Sequence, residues 1–205
     1  MSKHLSRRTV AAALVALPAC WTGVRAQPAA QRRATPAQTE GPFYPVALPA
    51  DSDADLLRNG SLQYTRGEPA WVEGVVTDLE GRPLAGAQVE IWQCDHAGHY
   101  HHPGDGGRAD PSFQGFGRMT LGSDGRYRFR TIRPVPYTGR TPHIHVKVKM
   151  QQRELLTTQL YVEGEPRNER DFLWRNLGAE RDLVTVAFRA GPDGVRASFT
   201  IVIAT

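Results

Sequence analysis

The stretch Ala70–Gln93, "AWVEGVVTDLEGRPLAGAQVEIWQ", decides the fold of this chain. Residues 70–78 alternate between apolar and polar side chains, which is typical of a strand with one buried face. Residues 79–86 carry the glycines and the proline of a turn, and residues 87–93 repeat the strand pattern. We therefore expect two neighbouring strands that pair as a hairpin or meander.

The same strand pattern recurs further along the chain, after a polar loop at residues 94–111 that shows no core pattern. We expect six more strands, over residues 115–121, 126–132, 143–150, 157–162, 183–188 and 195–204. One helix is expected from about Asn168, with Gly178 as its stop. Short strands with turns between them favour an all-β fold, a β-sandwich of mixed strands with long loops and at most one short helix.

The length of 205 residues suits one ordinary domain with a buried core. Residues 1–26 have the layout of an export signal of the twin-arginine type, because Arg7 and Arg8 precede an apolar stretch and a small-residue cleavage site follows at Ala26. Two alternatives stay open, a lipoprotein site at Cys20 and a merely frayed basic N-terminus. Residues 27–38 are expected to form a flexible spacer, and residues 39–205 the domain.

The positive charge of the chain belongs to its expected leader. Residues 1–26 contain four basic and no acidic side chains, so their removal takes the formal net charge from +4 to zero. The basic balance therefore does not indicate a nucleic-acid partner, and no apolar run is long enough for a mature membrane span. Cleavage after Ala26 leaves Cys94 as the remaining cysteine, so we expect a periplasmic or secreted protein without an internal disulfide.

Histidines are the first candidates for chemistry. His143 and His145 lie two residues apart on an expected strand, so both side chains point to the same face. Two imidazoles at this spacing can share one metal ion, although a bare pair fits a solvated face at least as well. Four other histidines are expected at a solvated loop or pocket rim: His96, His99, His101 and His102.

Two tyrosines strengthen the metal hypothesis. Tyr137 precedes His143 by six residues, and Tyr100 lies in the polar loop, where a core role is not expected. Phenolate oxygen with imidazole nitrogen suits Fe(III) rather than Zn(II) or Cu(I). A bound metal also lowers the pKa of a phenol enough to hold it as phenolate. Tyrosine is nevertheless more often a core or surface aromatic, so the residue types alone leave both readings open.

Longer segments make the chain similar to the intradiol ring-cleavage dioxygenases, of the protocatechuate 3,4-dioxygenase-like kind. They follow the family's order over about residues 34–166: "ATPAQTEGPFYP", "GVVTDLEGRPLAGAQVEIWQCDHAGHY", "DPSFQGFGRM", "SDGRYRFRTIRPVPYTGRTPHIHVKV" and "TTQLYVEGEP". The resemblance implies four ligands of one non-haem Fe(III) per chain: Tyr100, Tyr137, His143 and His145. Tyr137 and His145 would be axial, and substrate would displace Tyr137.

The same resemblance implies roles for further residues. Arg140 matches the family's active-site arginine and would act in catalysis together with Tyr137. Four residues would contact substrate: Gly41, Pro42, Tyr44 and Gln159. The implied reaction opens a catechol-type ring between its two hydroxyl-bearing carbons to a muconate-type diacid and inserts both atoms of O2. The oligomeric state stays open, a homo-oligomer included.

The chain also departs from the family pattern. Only residues 138–140 separate Tyr137 from Thr141, and the loop from Tyr100 to Asp110 is short, so we expect an open pocket whose substrate the family does not name. We expect no counterpart before residue 39 of the helical segment that precedes the domain in catechol and hydroxyquinol dioxygenases. This favours the protocatechuate-like branch or a compact exported offshoot of it.

Two other readings remain from different classes of protein. Residues 72–92 resemble transthyretin-like β-sandwich modules, which bind ligands or partners without catalysis and in which the tyrosines would be incidental. A Zn(II) or Cu(II) site of a hydrolase or oxidase on the strand of His143 and His145 is weaker. It lacks an acidic general base at suitable spacing, and the phenols argue against it.

Overall fold

The protein is described by a computed structural model over residues 32–204. The expected leader, with Arg7, Arg8, Cys20 and Ala26, lies outside these residues. The described part contains one α-helix, α1 (Phe172–Asn176). It also contains twelve strands: β1 (Arg58–Asn59), β2 (Leu62–Gln63), β3 (Pro69–Asp78), β4 (Gln88–Trp92), β5 (Phe116–Thr120), β6 (Arg126–Ile132), β7 (His143–Met150), β8 (Arg153–Val162), β9 (Thr185–Val186), β10 (Arg189–Gly191), β11 (Gly194–Ser198) and β12 (Ile201–Ile203).

Two five-stranded sheets confirm the expected β-sandwich. In the first sheet β3 is central, with β6 antiparallel on one side and β11 and β12 parallel on the other, while β10 pairs with β11. The second sheet has the order β5-β4-β7-β8-β9, and its last pair is parallel. One hydrophobic cluster joins them, with Val72 and Phe129 from the first sheet against Ile91 and Val146 from the second. The sandwich is therefore built of mixed sheets that share one core.

The expected hairpin of β3 and β4 is wrong, because the two strands lie in different sheets. Residues 79–87 first fold back on the end of β3, where the Leu84 amide donates to the Val76 carbonyl at 3.0 Å. The chain then crosses to the second sheet, a separation of about 10 Å in sandwiches. The turn signal in the sequence was real, but a local pattern does not say in which layer the next strand lies.

Strand β7 has one face in the core and one face in the candidate site. Ile144, Val146 and Val148 belong to the core between the sheets. Alternation therefore places His143 and His145 on the opposite face, as the sequence predicts, and both are buried. The covering comes from loops and from the chain that precedes β1.

That preceding segment belongs to the fold from before the expected boundary at residue 39. The Thr35 amide donates to the Val202 carbonyl at 2.9 Å, and the Gln38 amide donates to the Thr157 carbonyl at 2.8 Å. The hydroxyl of Thr158 donates to the Pro36 carbonyl at 2.7 Å. Residues 35–38, which composition places in a spacer, are thus attached to both sheets.

The expected helix from Asn168 to Gly178 is divided into two short pieces, and a third piece follows it. A 3-10 helix over Pro166–Arg170 precedes α1, and a second one follows over Gly178–Leu183. Asp171 interrupts the run because its backbone is extended, and its side chain accepts from the amides of Leu173 and Trp174 as the N-cap of α1. In the described part of the chain no helix is long and apolar enough to cross a membrane.

Candidate metal centre and active site

The structure brings the four expected ligands together from three separate segments. His143 and His145 on β7 face each other with 3.1 Å between their Nε2 atoms. The ring of Tyr137 lies 5.5 Å from that of His143, and the ring of Tyr100 lies 6.0 Å from that of His145, measured between centroids. The two phenol rings are 5.2 Å apart. Residues separated by up to 45 positions in sequence therefore form one cluster.

Both histidines are held as neutral bases. His143 Nδ1 lies 2.7 Å from the Thr141 carbonyl, which can only accept, so the proton is on Nδ1 and Nε2 keeps a free lone pair. Burial lowers the pKa of His143 to about 3 and the pKa of His145 well below its ordinary value. The indole ring of Trp92 stacks on His145 at 4.7 Å and fixes the plane of that imidazole.

The phenols are unlike ordinary core tyrosines. The Tyr100 hydroxyl is buried and has no hydrogen-bond partner among residues 32–204, although buried hydroxyls are normally paired. Burial raises the pKa of Tyr100 well above 10 and also raises the pKa of Tyr137, so burial disfavours the phenolate form of both side chains. No three His, Cys or acidic side chains of the described chain form a metal-binding group. A metal here therefore needs the phenol oxygens, and the donor set fits Fe(III).

A tight turn sets Arg140 beside Tyr137. The Arg140 amide donates to the Tyr137 carbonyl at 2.9 Å, and Gly139 between them has a φ of +77°, which a non-glycine residue adopts only with strain. The Arg140 guanidinium donates to Asp171 at 2.7 Å and to the side-chain oxygen of Gln159 at 2.6 Å. The positive charge of Arg140 partly offsets the effect of burial on the pKa of Tyr137.

The polar loop after β4 is ordered by two aspartates, for which the sequence predicts no role in shaping this loop. Asp95 is buried and accepts from the amides of Ala97 and His99, at 2.8 and 3.0 Å. Asp105 accepts from the Tyr100 amide at 2.7 Å and so places that tyrosine over the histidines. Aspartates in turn-rich loops often accept from backbone amides a few residues away. An aspartate followed closely by glycine in the polar loop is the sequence signal that could have identified both residues.

The four loop histidines form no second metal site among the described residues. His99 faces Asp105 at 3.3 Å and lines the cavity in front of the cluster. His101 donates to the Phe113 carbonyl at 2.6 Å, and His102 Nδ1 accepts from the Gly104 amide at 3.0 Å. This agrees with the expectation of a loop and pocket rim.

An open cavity of about 820 Å³ leads to Tyr137 and Arg140. Of the four expected substrate contacts, Pro42 lines this cavity, with Phe43 beside it. Gly41 lies behind it, where an added Cβ would be 3.4 Å from His145 Cε1. Gln159 is fully buried, does not line the cavity, and accepts from Arg140 through its side-chain oxygen, so its role as a substrate contact stays a prediction.

Tyr44 does not line the cavity, and its role as a substrate contact stays a prediction. Its ring packs edge-on against Trp92 at 5.0 Å, and its hydroxyl donates to buried Glu90 at 2.8 Å and accepts from Lys149 at 3.0 Å. The reason is strand alternation, because Lys147 and Lys149 continue the face of His145 along β7. The proline and glycine in "EGPFYP" direct Phe43 to the cavity and Tyr44 to this charged pair.

Known proteins match the chain over the same residues. A family model described as Dioxygenase matches residues 39–204. The chain belongs to the intradiol dioxygenase family. Within this family, hydroxyquinol 1,2-dioxygenase of Nocardioides simplex is 31% identical over 179 residues, covering 78% of this chain and 57% of the relative. The protocatechuate 3,4-dioxygenase beta chain of Burkholderia cepacia is 38% identical over 128 residues, covering 56% of this chain and 53% of the relative.

Solved structures of the intradiol family share the fold. The dioxygenase domain of a dioxygenase–carbohydrate-binding fusion from Streptomyces sp. SirexAA-E is 34% identical, with a TM-score of 0.68, and the match covers 84% of this chain and 99% of that one. An intradiol ring-cleavage dioxygenase from Tetranychus urticae, at 20% identity and a TM-score of 0.69 over 84% of this chain and 95% of that one, shows the fold alone. The chain spans about half the length of the curated relatives it matches.

Proposed function

We propose that this chain is a non-haem Fe(III) dioxygenase that cleaves a catechol-type ring between its two hydroxyl-bearing carbons. The product is a muconate-type diacid that receives both atoms of O2. One observation carries the proposal, the cluster of buried Tyr100, His143 and His145 with half-buried Tyr137, which lines an open cavity. Family membership supports the same reaction.

The chemistry of the cluster argues against a passive binding module. The Tyr100 hydroxyl, which has no partner within the described residues, and two imidazoles with their Nε2 atoms 3.1 Å apart are polar groups at buried positions, where apolar side chains would be more stable. A cation bound by these four groups satisfies them together. A zinc or copper hydrolase is disfavoured because the donors are two phenols and no carboxylate belongs to the cluster.

When bound, Fe(III) acts as a Lewis acid that activates the bound catecholate for reaction with O2. The two phenols have different positions for this task. Tyr100 is buried at 3% exposure and is fixed through its backbone by Asp105, whereas Tyr137 lines the cavity. Tyr137 is therefore the phenol that can move, and as a phenolate it accepts a proton from a catechol hydroxyl.

Arg140 supplies a permanent positive charge beside Tyr137. Its guanidinium lines the cavity next to Tyr137, where it stabilises negative charge that develops on the substrate oxygens and ring. Asp171 and Gln159 hold it in this place, and the preorganised charge then costs no rearrangement during reaction. Phe43, stacked on Tyr100 at 4.7 Å, covers the cluster and limits water.

The visible spectrum tests this proposal. We expect the iron-loaded protein to be coloured, because tyrosinate donates charge to Fe(III), and we expect catechol to shift the band while O2 is consumed and a diacid forms. The matched control is the same protein freed of metal and reloaded with Zn(II), which should be colourless and should take up no O2. A colourless protein with one tightly bound iron per chain would contradict the proposed ligand set.

We also propose that residues 1–26 direct export by the twin-arginine route. The paired Arg7 and Arg8 before an apolar stretch support this. Expression of the full chain in a bacterium should give a periplasmic protein whose first residue is Gln27, as read by mass spectrometry. Lysine at both arginine positions should retain the precursor in the cytoplasm. A lipid-modified N-terminus at Cys20 would instead establish membrane anchoring.

A further inference from the structure

Two arginines project from one short helix into the cavity. Arg167 and Arg170 both line it, and both belong to the 3-10 helix Pro166–Arg170. Residues three apart lie on the same side of a 3-10 helix, because it has three residues per turn. Their spacing therefore presents two guanidinium groups to the same space.

Buried hydrogen bonds fix this helix beside Arg140. Asn168 lies between the two arginines in sequence, and its side chain is buried. It donates to the Val162 carbonyl at 2.8 Å and accepts from the Thr141 hydroxyl at 2.7 Å. Thr141 directly follows Arg140, and the Glu165 side chain caps the start of the helix by accepting from the Arg167 amide. The arginines thus stand on a support that is joined to the catalytic segment.

The charges on the cavity wall do not cancel. The wall carries four arginines and two aspartates, which are Arg108, Arg140, Arg167, Arg170, Asp105 and Asp171. Asp171 pairs with Arg140 at 2.7 Å, and Asp105 pairs with Arg108 at 3.0 Å. Within residues 32–204 no carboxylate lies at ion-pair distance from Arg167 or Arg170, and neither Glu165 nor Glu169 lines the cavity. Two positive charges at the mouth are therefore available to a ligand.

We propose that Arg167 and Arg170 form an anion subsite that selects catechols carrying a carboxylate. The inference rests on the proposed function and names its substrate class. Guanidinium groups bind a carboxylate through paired, charge-assisted hydrogen bonds. A cavity of about 820 Å³ is large for a bare catechol and is of the size that holds a drug-sized ligand. The aromatic diol binds at the inner end and the acid group binds at the mouth.

Acids and their methyl esters provide the matched test. For wild type, kcat/KM is measured with protocatechuate and dihydrocaffeate, which carry the carboxylate on the ring and on a short side chain, and with the methyl ester of each. For each variant the acid and its ester are compared on the same enzyme preparation. Differences in iron content and folding between preparations then cancel in the acid-to-ester ratio of kcat/KM. This ratio should favour the acid and fall about three- to fivefold in Arg167→Gln or Arg170→Gln and about tenfold or more in the double variant.

Arg175→Gln is the control, because Arg175 is an exposed arginine of the neighbouring α1 that does not line the cavity. Its acid-to-ester ratio should equal that of wild type. The preference of wild type should also shrink in about 0.5 M salt, because the two arginines are exposed and screened. The Kd values of acid and ester are also measured by calorimetry, and their ratio reports the preference without depending on turnover.

Two results overturn the subsite. One is a wild type without preference for acid over ester in Kd and kcat/KM, and the other is a double variant that keeps the wild-type ratio. Either can occur while catechol itself is cleaved, which leaves the proposed function standing. Failure to cleave any catechol, with the acid preference intact in Kd, would instead reject the dioxygenase and keep the subsite.

Discussion

Arg140→Gln is expected to lower kcat by about 10²- to 10³-fold, the loss typical when one preorganised charged donor is removed from an active site. The guanidinium lies beside Tyr137 and lines the cavity in which the ring is opened. The same change leaves Asp171 without its cation, and the Asp171 side chain is completely buried. An uncompensated buried charge costs about 3–5 kcal/mol, so the variant should also be less stable in urea.

A double-mutant cycle separates these two effects. Asp171→Asn keeps the N-cap of α1, since asparagine caps helices as well as aspartate does, but removes the negative charge. Arg140→Gln combined with Asp171→Asn should therefore regain much of the lost stability and none of the lost kcat. If the double variant also regained turnover, Arg140 would be only a structural partner of Asp171.

The control for this cycle is Arg133→Gln in the same loop. Arg133 is only partly buried and lies 3.4 Å from exposed Glu68. Such surface pairs contribute about 1 kcal/mol or less. We expect kcat and the urea midpoint of this variant to stay close to those of wild type.

The features of the fold that depend on residues close together in sequence could be predicted from the sequence. The strands β5, β6 and β7 begin and end within a residue of the expected ranges, because alternation and turn residues act locally. Alternation also placed His143 and His145 on one face. The position of Tyr100 in space came from resemblance, since no local pattern says where a loop after β4 returns.

The features that failed depend on contacts between distant segments. The sequence did not show that β3 and β4 belong to different sheets, because both strands have the same alternation. It also gave no sign that Asp171 caps α1 and binds Arg140 at the same time. The partners of Tyr44 were also not visible in the sequence, since Glu90 and Lys149 come from two strands that neighbour each other only in the folded sheet.

Tyr100→Phe is expected to have opposite effects on the metal-free and the iron-loaded protein. In the metal-free protein the Tyr100 hydroxyl is buried without a partner among residues 32–204, and such a group costs about 1–3 kcal/mol. Its removal should raise the free energy of unfolding by about 1 kcal/mol, after the loss of a small packing contact is included. In the iron-loaded protein the same change removes one of two phenolate ligands, so the visible band should weaken and iron should dissociate faster.

Tyr127→Phe is the matched control, because Tyr127 is equally buried but its hydroxyl donates to the Phe199 carbonyl at 2.5 Å. That variant should lose about 1–3 kcal/mol in urea and keep the spectrum of wild type. The opposite signs distinguish a hydroxyl that awaits a metal from one that holds the fold together. If Tyr100→Phe destabilised the metal-free protein and left the visible band unchanged, Tyr100 would be an ordinary core tyrosine, and the passive sandwich module would explain the chain better than the enzyme.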